Sequence, residues 1–107
     1  MKVIVCEPRK LCEVREIGNE LEDYHEVVGG WIETVYPFDD NVVLVCNEEG
    51  KTLGLPYNRP LFDREGVMYD IVAGTFFLCG TEDEYFVSLT DEQIERYVKI
   101  FNNCMAF

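Results

Sequence analysis

The sequence has 107 residues, of which 48% are apolar and 13% aromatic, and its formal net charge is −12. This length accommodates one domain, and the apolar content excludes an intrinsically disordered chain. The acidic charge argues against direct binding to nucleic acid or to an anionic membrane, because such binding rests on basic residues. No run reaches the roughly 18 apolar residues that a membrane-spanning helix needs, and the first apolar run is too short for a signal peptide. We therefore expect a cytoplasmic protein with a single compact domain over residues 1–107.

The first half of the chain is predicted to form strands and one helix. Short apolar or alternating runs predict strands at residues 2–6, 12–17, 31–38 and 42–46. A helix is predicted between the second and third of these strands, with Asn19 as its N-cap residue. The glycine pair at 29–30 is expected to end that helix.

The second half is predicted to add further hairpin strands and a terminal helix. Residues 51–55 are expected to return antiparallel to the preceding strand, and residues 67–78 form a central strand or two pieces hinged at Gly74. Thr90 and Gln93 form a capping box that precedes an apolar helical stripe. The pattern predicts an α+β domain with a mainly antiparallel sheet of about five to six strands and two helices, the C-terminal one packed on the sheet.

The residue types that usually carry catalysis or bind metals do not form a recognisable set. The only histidine, His25, lies on the acidic first helix without an evident nucleophile beside it. The acidic runs at 39–40 and 82–84 do not match a calcium-binding loop, and Gly74-Thr75 lacks the phosphate-loop pattern. The sequence therefore favours a protein that is not an enzyme, with no metal and no cofactor.

The cysteines are predicted to be reduced and largely unreactive thiols. The chain has five of them, an odd number with no C-x-x-C pair, so neither a disulfide framework nor a zinc site is indicated. Three cysteines lie inside apolar runs, where a free thiol behaves as a small hydrophobic side chain: Cys6, Cys46 and Cys79.

The segment 55–61 is predicted to be an exposed, rigid loop, because Pro56 and Pro60 flank three polar or aromatic side chains. Residues 51–72 carry three acids and three bases, so this region is locally neutral within an acidic chain. Arginine suits bidentate contacts with phosphate or carboxylate. The candidate ligand-binding residues are Tyr57, Asn58, Arg59, Asp70 and Thr75.

A purely structural interpretation of the same loop stays open. The prolines then rigidify a connection, Asn58 caps a turn, and Arg59 pairs with Asp63 or Asp70.

Several segments together resemble the domain of unknown function 3846 family. The resemblance covers nearly the whole chain and is carried by residues 28–33, 45–50, 53–60, 71–76 and 88–93. It implies a small acidic protein of phages, conjugative elements and Firmicutes genomes, sometimes encoded beside antirestriction genes. It implies no established activity, cofactor or catalytic residue.

Two functions follow as expectations. The first is a non-catalytic accessory protein of a phage or mobile element, a binding module that captures a small anionic, nucleotide-like ligand in a counter-defence or regulatory role, as a homo-oligomer with the ligand between protomers. The alternative is an acidic inhibitor or nucleic-acid mimic that binds a basic host protein. Salt-sensitive binding to a basic partner would distinguish the second function from the first.

Overall fold

The computed structural model describes residues 1–104 and consists of eight strands and two helices within that range. The strands are β1 (Lys2–Cys6), β2 (Glu13–Glu16), β3 (Ile32–Val35), β4 (Val42–Asn47), β5 (Tyr57–Phe62), β6 (Met68–Ala73), β7 (Phe76–Glu82) and β8 (Tyr85–Val87). The helices are α1 (Leu21–Val28) and α2 (Asp91–Asn102). None of the helices in the described part of the chain is both long and apolar enough to cross a membrane.

A six-stranded antiparallel sheet forms the centre of the molecule. Its strand order is β2-β1-β7-β4-β3, and β8 pairs with the end of β7 on the same side as β1. The central strand β7 is fully buried from Phe76 to Gly80, which explains why its sequence is a continuous apolar run. Strands β5 and β6 form a separate two-stranded hairpin.

Each face of the six-stranded sheet is covered by different elements, because alternate side chains of a strand point to opposite faces. On one face Val43, Val45 and Phe77 pack with Tyr24 and Val28 of α1. The other face packs against α2 and the β5–β6 hairpin through a second set of buried residues, which includes Ile4, Leu44, Leu78, Leu61, Val72, Tyr97 and Phe101. The core therefore has two halves, separated by the sheet.

The predicted fold class is confirmed: two helices accompany a mainly antiparallel sheet, and α2 packs on that sheet. The capping box of α2 is also confirmed, since Gln93 N donates to Thr90 Oγ1 at 3.1 Å and Thr90 N donates to Gln93 Oε1 at 2.9 Å. The first helix begins one residue later than predicted. Glu20 is its N-cap, and the Asn19 amide donates to Phe86 O instead.

Two segments differ from their predicted conformation. Residues 51–54 form turns rather than a returning strand. The predicted loop at 55–61 is mostly strand β5, which pairs with β6. Pro60 is compatible with this strand because β5 is an edge strand of a two-stranded hairpin, a position in which proline occurs. Of the two alternatives for residues 67–78, the second is observed: two strands, β6 and β7, meet at Gly74, which takes a φ of 85°.

Candidate functional site

Arg59 is the most buried of the five predicted ligand-binding residues, with an exposed fraction of 0%. Its Nε donates to Phe101 O at 3.0 Å, and its Nη2 donates to Lys10 O at 2.6 Å. Its Nη1 donates to Glu7 O at 2.9 Å and to Asn58 Oδ1 at 2.7 Å. The side chain therefore joins β5 to the β1–β2 loop and to the C-terminal end of α2.

The guanidinium of Arg59 forms no ion pair with a carboxylate of residues 1–104. The predicted pairing with Asp63 or Asp70 is therefore wrong. Asp63 instead accepts hydrogen bonds from backbone N–H groups in the hairpin turn, and Asp70 pairs with Lys51. The donors of Arg59 are satisfied by three backbone carbonyls and by Asn58 Oδ1. One of these carbonyls, Phe101 O, lies at the C-terminal end of α2, where the helix dipole is negative.

Asn58 is buried as well, with an exposed fraction of 2%. Its Nδ2 donates to Cys6 O at 2.8 Å and to Gly74 O at 2.9 Å, so it links β5 to the central sheet. Because its amide groups are engaged with the protein, neither Asn58 nor Arg59 presents a free polar group at the surface. The expectation that the two side chains are exposed on a loop is wrong.

The other three predicted residues do not line one common cavity. Tyr57 is 53% exposed at the start of β5. Asp70 and Lys51 line a small cavity of about 120 Å³ between β4 and the β5–β6 hairpin. Thr75 lines different clefts, beside α1. Two of the five residues are thus buried in the protein interior, and Asp70 and Thr75 line different cavities.

A different groove has the features of a binding site, and we call it the aromatic groove. It measures about 520 Å³ and lies between the segment before β4, the tip of the β5–β6 hairpin and one side of α2. Its lining includes the aromatic and basic side chains Tyr36, Phe62, Arg64, Tyr69 and Arg96, the apolar Ile100, and the two carboxylates Asp39 and Asp63.

The local structure of the hairpin explains why its side chains meet there. Leu61 pairs with Asp70 and Phe62 pairs with Met68, so Tyr69 is an extra residue in β6 and forms a bulge. A bulge changes the direction of the strand and of its side chains, and here Tyr69 lines the same groove as Phe62. Arg96 and Ile100 lie four residues apart on α2, a spacing that places them on one side of the helix.

The aromatic rings of the groove are unusually exposed for large apolar side chains. Tyr36 is 63% exposed, Tyr69 is 52% and Phe62 is 46%. Scattered exposed apolar residues are ordinary, but several that line one concavity are typical of an interaction site.

Two arginines border these rings, one in an exposed ion pair and the other in a partly buried one. Arg64 Nη2 lies 3.5 Å from Asp39 Oδ2, with exposed fractions of 84% and 90% for the two side chains. Arg96 Nη1 lies 3.4 Å from Asp40 Oδ2. An exposed ion pair such as that of Arg64 contributes only about 0–1 kcal/mol. The guanidinium of Arg96 is itself 60% exposed, so both guanidinium groups are accessible to an anion in the groove.

The Asp40 carboxylate is held in place mainly by hydrogen bonds from residues other than Arg96. It accepts from Tyr97 Oη at 2.9 Å, from Asn41 N at 2.7 Å and from Gln93 Nε2 at 3.4 Å. Burial alone would raise the pKa of Asp40, but these hydrogen bonds outweigh it and lower that pKa. Burial, together with the charged Asp40 acceptor, raises the pKa of Tyr97 to about 12. Asp40 therefore stays anionic and oriented even when Arg96 turns to another partner.

The sequence contains only a partial signal for this groove. Arg64 is one of three cations in the neutral region 51–72, but nothing in the sequence indicates that Tyr36 is exposed beside it. Arg96 is absent from the predicted site. Its position on the polar side of α2, four residues before the exposed Ile100, is the signal that could have identified it.

The remaining candidates for chemistry have structural surroundings. The ring of His25 packs against Trp31 with its centroid 4.9 Å away. No cluster of three metal-ligating side chains exists among residues 1–104. Cys6, Cys46 and Cys79 are buried as predicted, whereas Cys12 and Cys104 are half-buried. Burial raises the pKa of Cys46 to about 11 and that of Cys79 to about 12.

Comparison with known proteins identifies a family but no relative with a described function. No curated protein and no solved structure matches the chain. A family model described as domain of unknown function DUF3846 matches residues 1–102. Since that match covers nearly all of the 107 residues, the chain belongs to the domain of unknown function 3846 family.

Proposed function

We propose that this protein is a non-catalytic binding module that captures a small anionic, nucleotide-like ligand in the aromatic groove. The observation that carries the proposal is the combination, within one concavity, of half-exposed aromatic rings and two accessible arginines. The ligand class is the one expected from the sequence, but the site differs, because Arg59 is buried and its donors are engaged.

The aromatic part of the groove suits a planar ring. Its volume of about 520 Å³ is within the range of small-molecule sites, which is about 300–1,000 Å³. Tyr36, Phe62 and Tyr69 offer ring surfaces on which a nucleobase can stack. Such stacking contributes about 1–3 kcal/mol per base where it has been measured by alanine substitution.

The arginines supply the contacts for a phosphate. A phosphate oxygen between Arg64 and Arg96 would replace the contacts with Asp39 and Asp40. Guanidinium groups bind phosphate through two parallel hydrogen bonds, a geometry that an ammonium group cannot reproduce. The exposed contact of Arg64 with Asp39 is weak, and Asp40 keeps its bond from Tyr97 when Arg96 turns to the phosphate, so the exchange leaves Asp40 with a partner.

The biological role rests on retention of the ligand. Ring stacking and arginine–phosphate contacts hold a ligand without a covalent step. Retention of a nucleotide-like ligand suits a counter-defence or regulatory protein of a phage or mobile element, which is the context that the family resemblance implies. Assembly into a homo-oligomer remains part of this proposal.

Mass spectrometry of the native protein tests whether a ligand copurifies, and isothermal titration with mononucleotides and cyclic dinucleotides tests the ligand class. Uncharged nucleosides serve as the control for the phosphate. We expect Arg96→Ala to weaken nucleotide binding roughly 10- to 150-fold, the loss of one charge-assisted contact. The matched control is Arg15→Ala, because Arg15 also forms an ion pair, with Glu13, but lies outside the groove.

Two results would overturn the proposal. One is the absence of binding to every phosphate-containing probe, and the other is an equal effect of Arg96→Ala and Arg15→Ala. Binding to a basic protein that weakens with salt and is unchanged by Arg96→Ala would favour the alternative function, an acidic inhibitor or nucleic-acid mimic.

A further inference from the structure

Cys6 and Cys12 face each other at the end of the β1–β2 hairpin. The strands pair in the register Lys2↔Glu16 through Val5↔Glu13, and continuing that register by one residue places Cys6 opposite Cys12. Cross-strand neighbours have Cβ atoms about 4.5–5.5 Å apart, close to the separation of about 3.5–4.5 Å found in disulfides. The two sulfur atoms lie 3.1 Å apart. A shift of about 1 Å would bring them to the disulfide bond length.

The two thiols have different surroundings. Cys6 is fully buried, whereas Cys12 is half-buried and therefore reachable from solvent. The Nη2 atom of Arg59 lies 3.7 Å from Cys12 Sγ. Because that guanidinium is paired with no carboxylate of residues 1–104, its positive charge is available to stabilise a Cys12 thiolate.

The acidities of the two thiols follow from these contacts. The hydrogen bond from Cys6, together with the charge of Arg59, lowers the pKa of Cys12. The same Cys6–Cys12 hydrogen bond, together with burial, raises the pKa of Cys6. Cys12 is therefore the more acidic thiol of the pair and Cys6 the less acidic one, the order expected of an attacking and a resolving cysteine.

We propose that Cys6 and Cys12 form a redox-active dithiol that peroxide converts into a disulfide, with Arg59 as the residue that positions and stabilises the attacking thiolate. The Cys12 sulfur attacks one oxygen of hydrogen peroxide, the O–O bond breaks, and the leaving hydroxide takes a proton to become water. The sulfenic acid on Cys12 is then attacked by the Cys6 sulfur, and its hydroxyl leaves with the Cys6 proton as a second water. Two thiols and one peroxide thus give one disulfide and two waters, and an external dithiol reverses the step.

The other cysteines provide internal comparisons. Cys46 and Cys79 are buried, and their pKa values are raised to about 11 and about 12. Reactivity toward peroxide follows thiolate character and exposure, so these two thiols are expected to resist oxidation. The site is independent of the aromatic groove, since neither Cys6 nor Cys12 lines it.

Peptide mapping of the full chain tests this assignment directly. The reduced protein is treated with hydrogen peroxide, alkylated in denaturant and digested with trypsin without reduction. Cleavage after Lys2, Arg9, Lys10 and Arg15 places Cys6 in peptide 3–9 and Cys12 in peptide 11–15. We expect these two peptides to be recovered joined by a disulfide, with the loss of two of the five alkylatable thiols and their return after treatment with dithiothreitol.

Three serine variants assign the roles. Cys6→Ser should leave a sulfenic acid on Cys12, which dimedone captures. Cys12→Ser should abolish oxidation at Cys6. The control Cys79→Ser should keep the disulfide link between peptides 3–9 and 11–15. Equal oxidation of all five cysteines, a link from Cys12 to Cys104, or five thiols that survive peroxide would each overturn the proposal. The peptide map of the unmodified sequence distinguishes these outcomes even if a serine variant fails to fold.

Discussion

Arg59→Ala is expected to be one of the most destabilising single substitutions in this chain. The change removes a fully buried guanidinium and leaves four acceptors without their donors: Glu7 O, Lys10 O, Phe101 O and Asn58 Oδ1. A buried acceptor that loses its partner costs about 1–3 kcal/mol, although water entering the space satisfies some of these groups. We therefore expect a loss of about 3–5 kcal/mol, the range found when one partner of a buried charged network is removed.

Chemical denaturation followed by circular dichroism measures this loss. Since a domain of this size is stable by about 5–15 kcal/mol, the expected loss is a large share of the total. It corresponds to a decrease in melting temperature on the order of 15–30 °C. Arg59→Lys should recover only part of the loss, because an ammonium group cannot reproduce the planar array of donors. Arg64→Ala is the matched control and should change stability by less than about 0.5 kcal/mol, since Arg64 is 84% exposed. A loss below about 1 kcal/mol for Arg59→Ala would refute the structural role of this side chain.

Two further predictions concern α2 and its contact with Asp40. Thr90→Ala removes the capping hydrogen bond and should cost about 1 kcal/mol in urea denaturation, whereas Phe101→Ala should cost about 3–5 kcal/mol because the ring is 2% exposed. An unchanged melting temperature for the Phe101 variant would contradict the packing of α2 on the sheet. The lowered pKa of Asp40 predicts that its stabilising contribution is present above the ordinary aspartate pKa, about 3.9, and is lost as the pH falls through the lower folded value. Melting temperatures of Asp40→Asn should therefore fall less than those of the unmodified protein between pH 5 and pH 2, and parallel curves would contradict this.

The parts of the fold that were predictable are those with a local physical cause. The central strand β7 begins in a short apolar run that is rich in aromatic residues and follows a glycine, which favours a buried strand. Helix α2 begins with a capping box whose hydrogen bonds involve residues three apart. Gly74 was recognisable as a hinge because glycine takes a positive φ without strain. In each case the deciding interaction lies within a few residues along the chain.

Residues 57–62 were mispredicted because their conformation depends on distant partners. Two prolines around a polar segment are typical of a loop, and nothing local indicates that Arg59 finds backbone acceptors 42 and 52 residues away. A buried arginine is rare unless such acceptors exist, so exposure was the reasonable expectation. The tertiary contacts of Arg59 with these distant carbonyls are the reason that the side chain is buried instead of exposed.

The aromatic groove was not predictable for a related reason. Its side chains come from the segment before β4, the hairpin tip and α2, which are far apart in sequence. Tyr69 lines the groove because of a one-residue bulge in β6. Without that bulge the β5–β6 pairing would shift by one residue, and the Tyr69 ring would point to a different face of the hairpin. The local neutrality of residues 51–72 drew attention to Arg64, but the second arginine of the groove, Arg96, lies outside that region.

The aromatic groove and the Cys6–Cys12 pair both involve the C-terminal half of α2, but each involves different residues of that helix. Arg96 and Ile100 face the groove, whereas Phe101 O accepts from Arg59 and the Asn102 side chain accepts from Cys12 N at 2.7 Å. If both proposals hold, Arg96→Ala should weaken nucleotide binding without changing the yield of the link between peptides 3–9 and 11–15. Cys12→Ser should remove that link without changing nucleotide affinity in the reduced protein. A defect in both measurements from either variant would instead show that the end of α2 is disturbed as a whole, which circular dichroism would detect as a loss of helix.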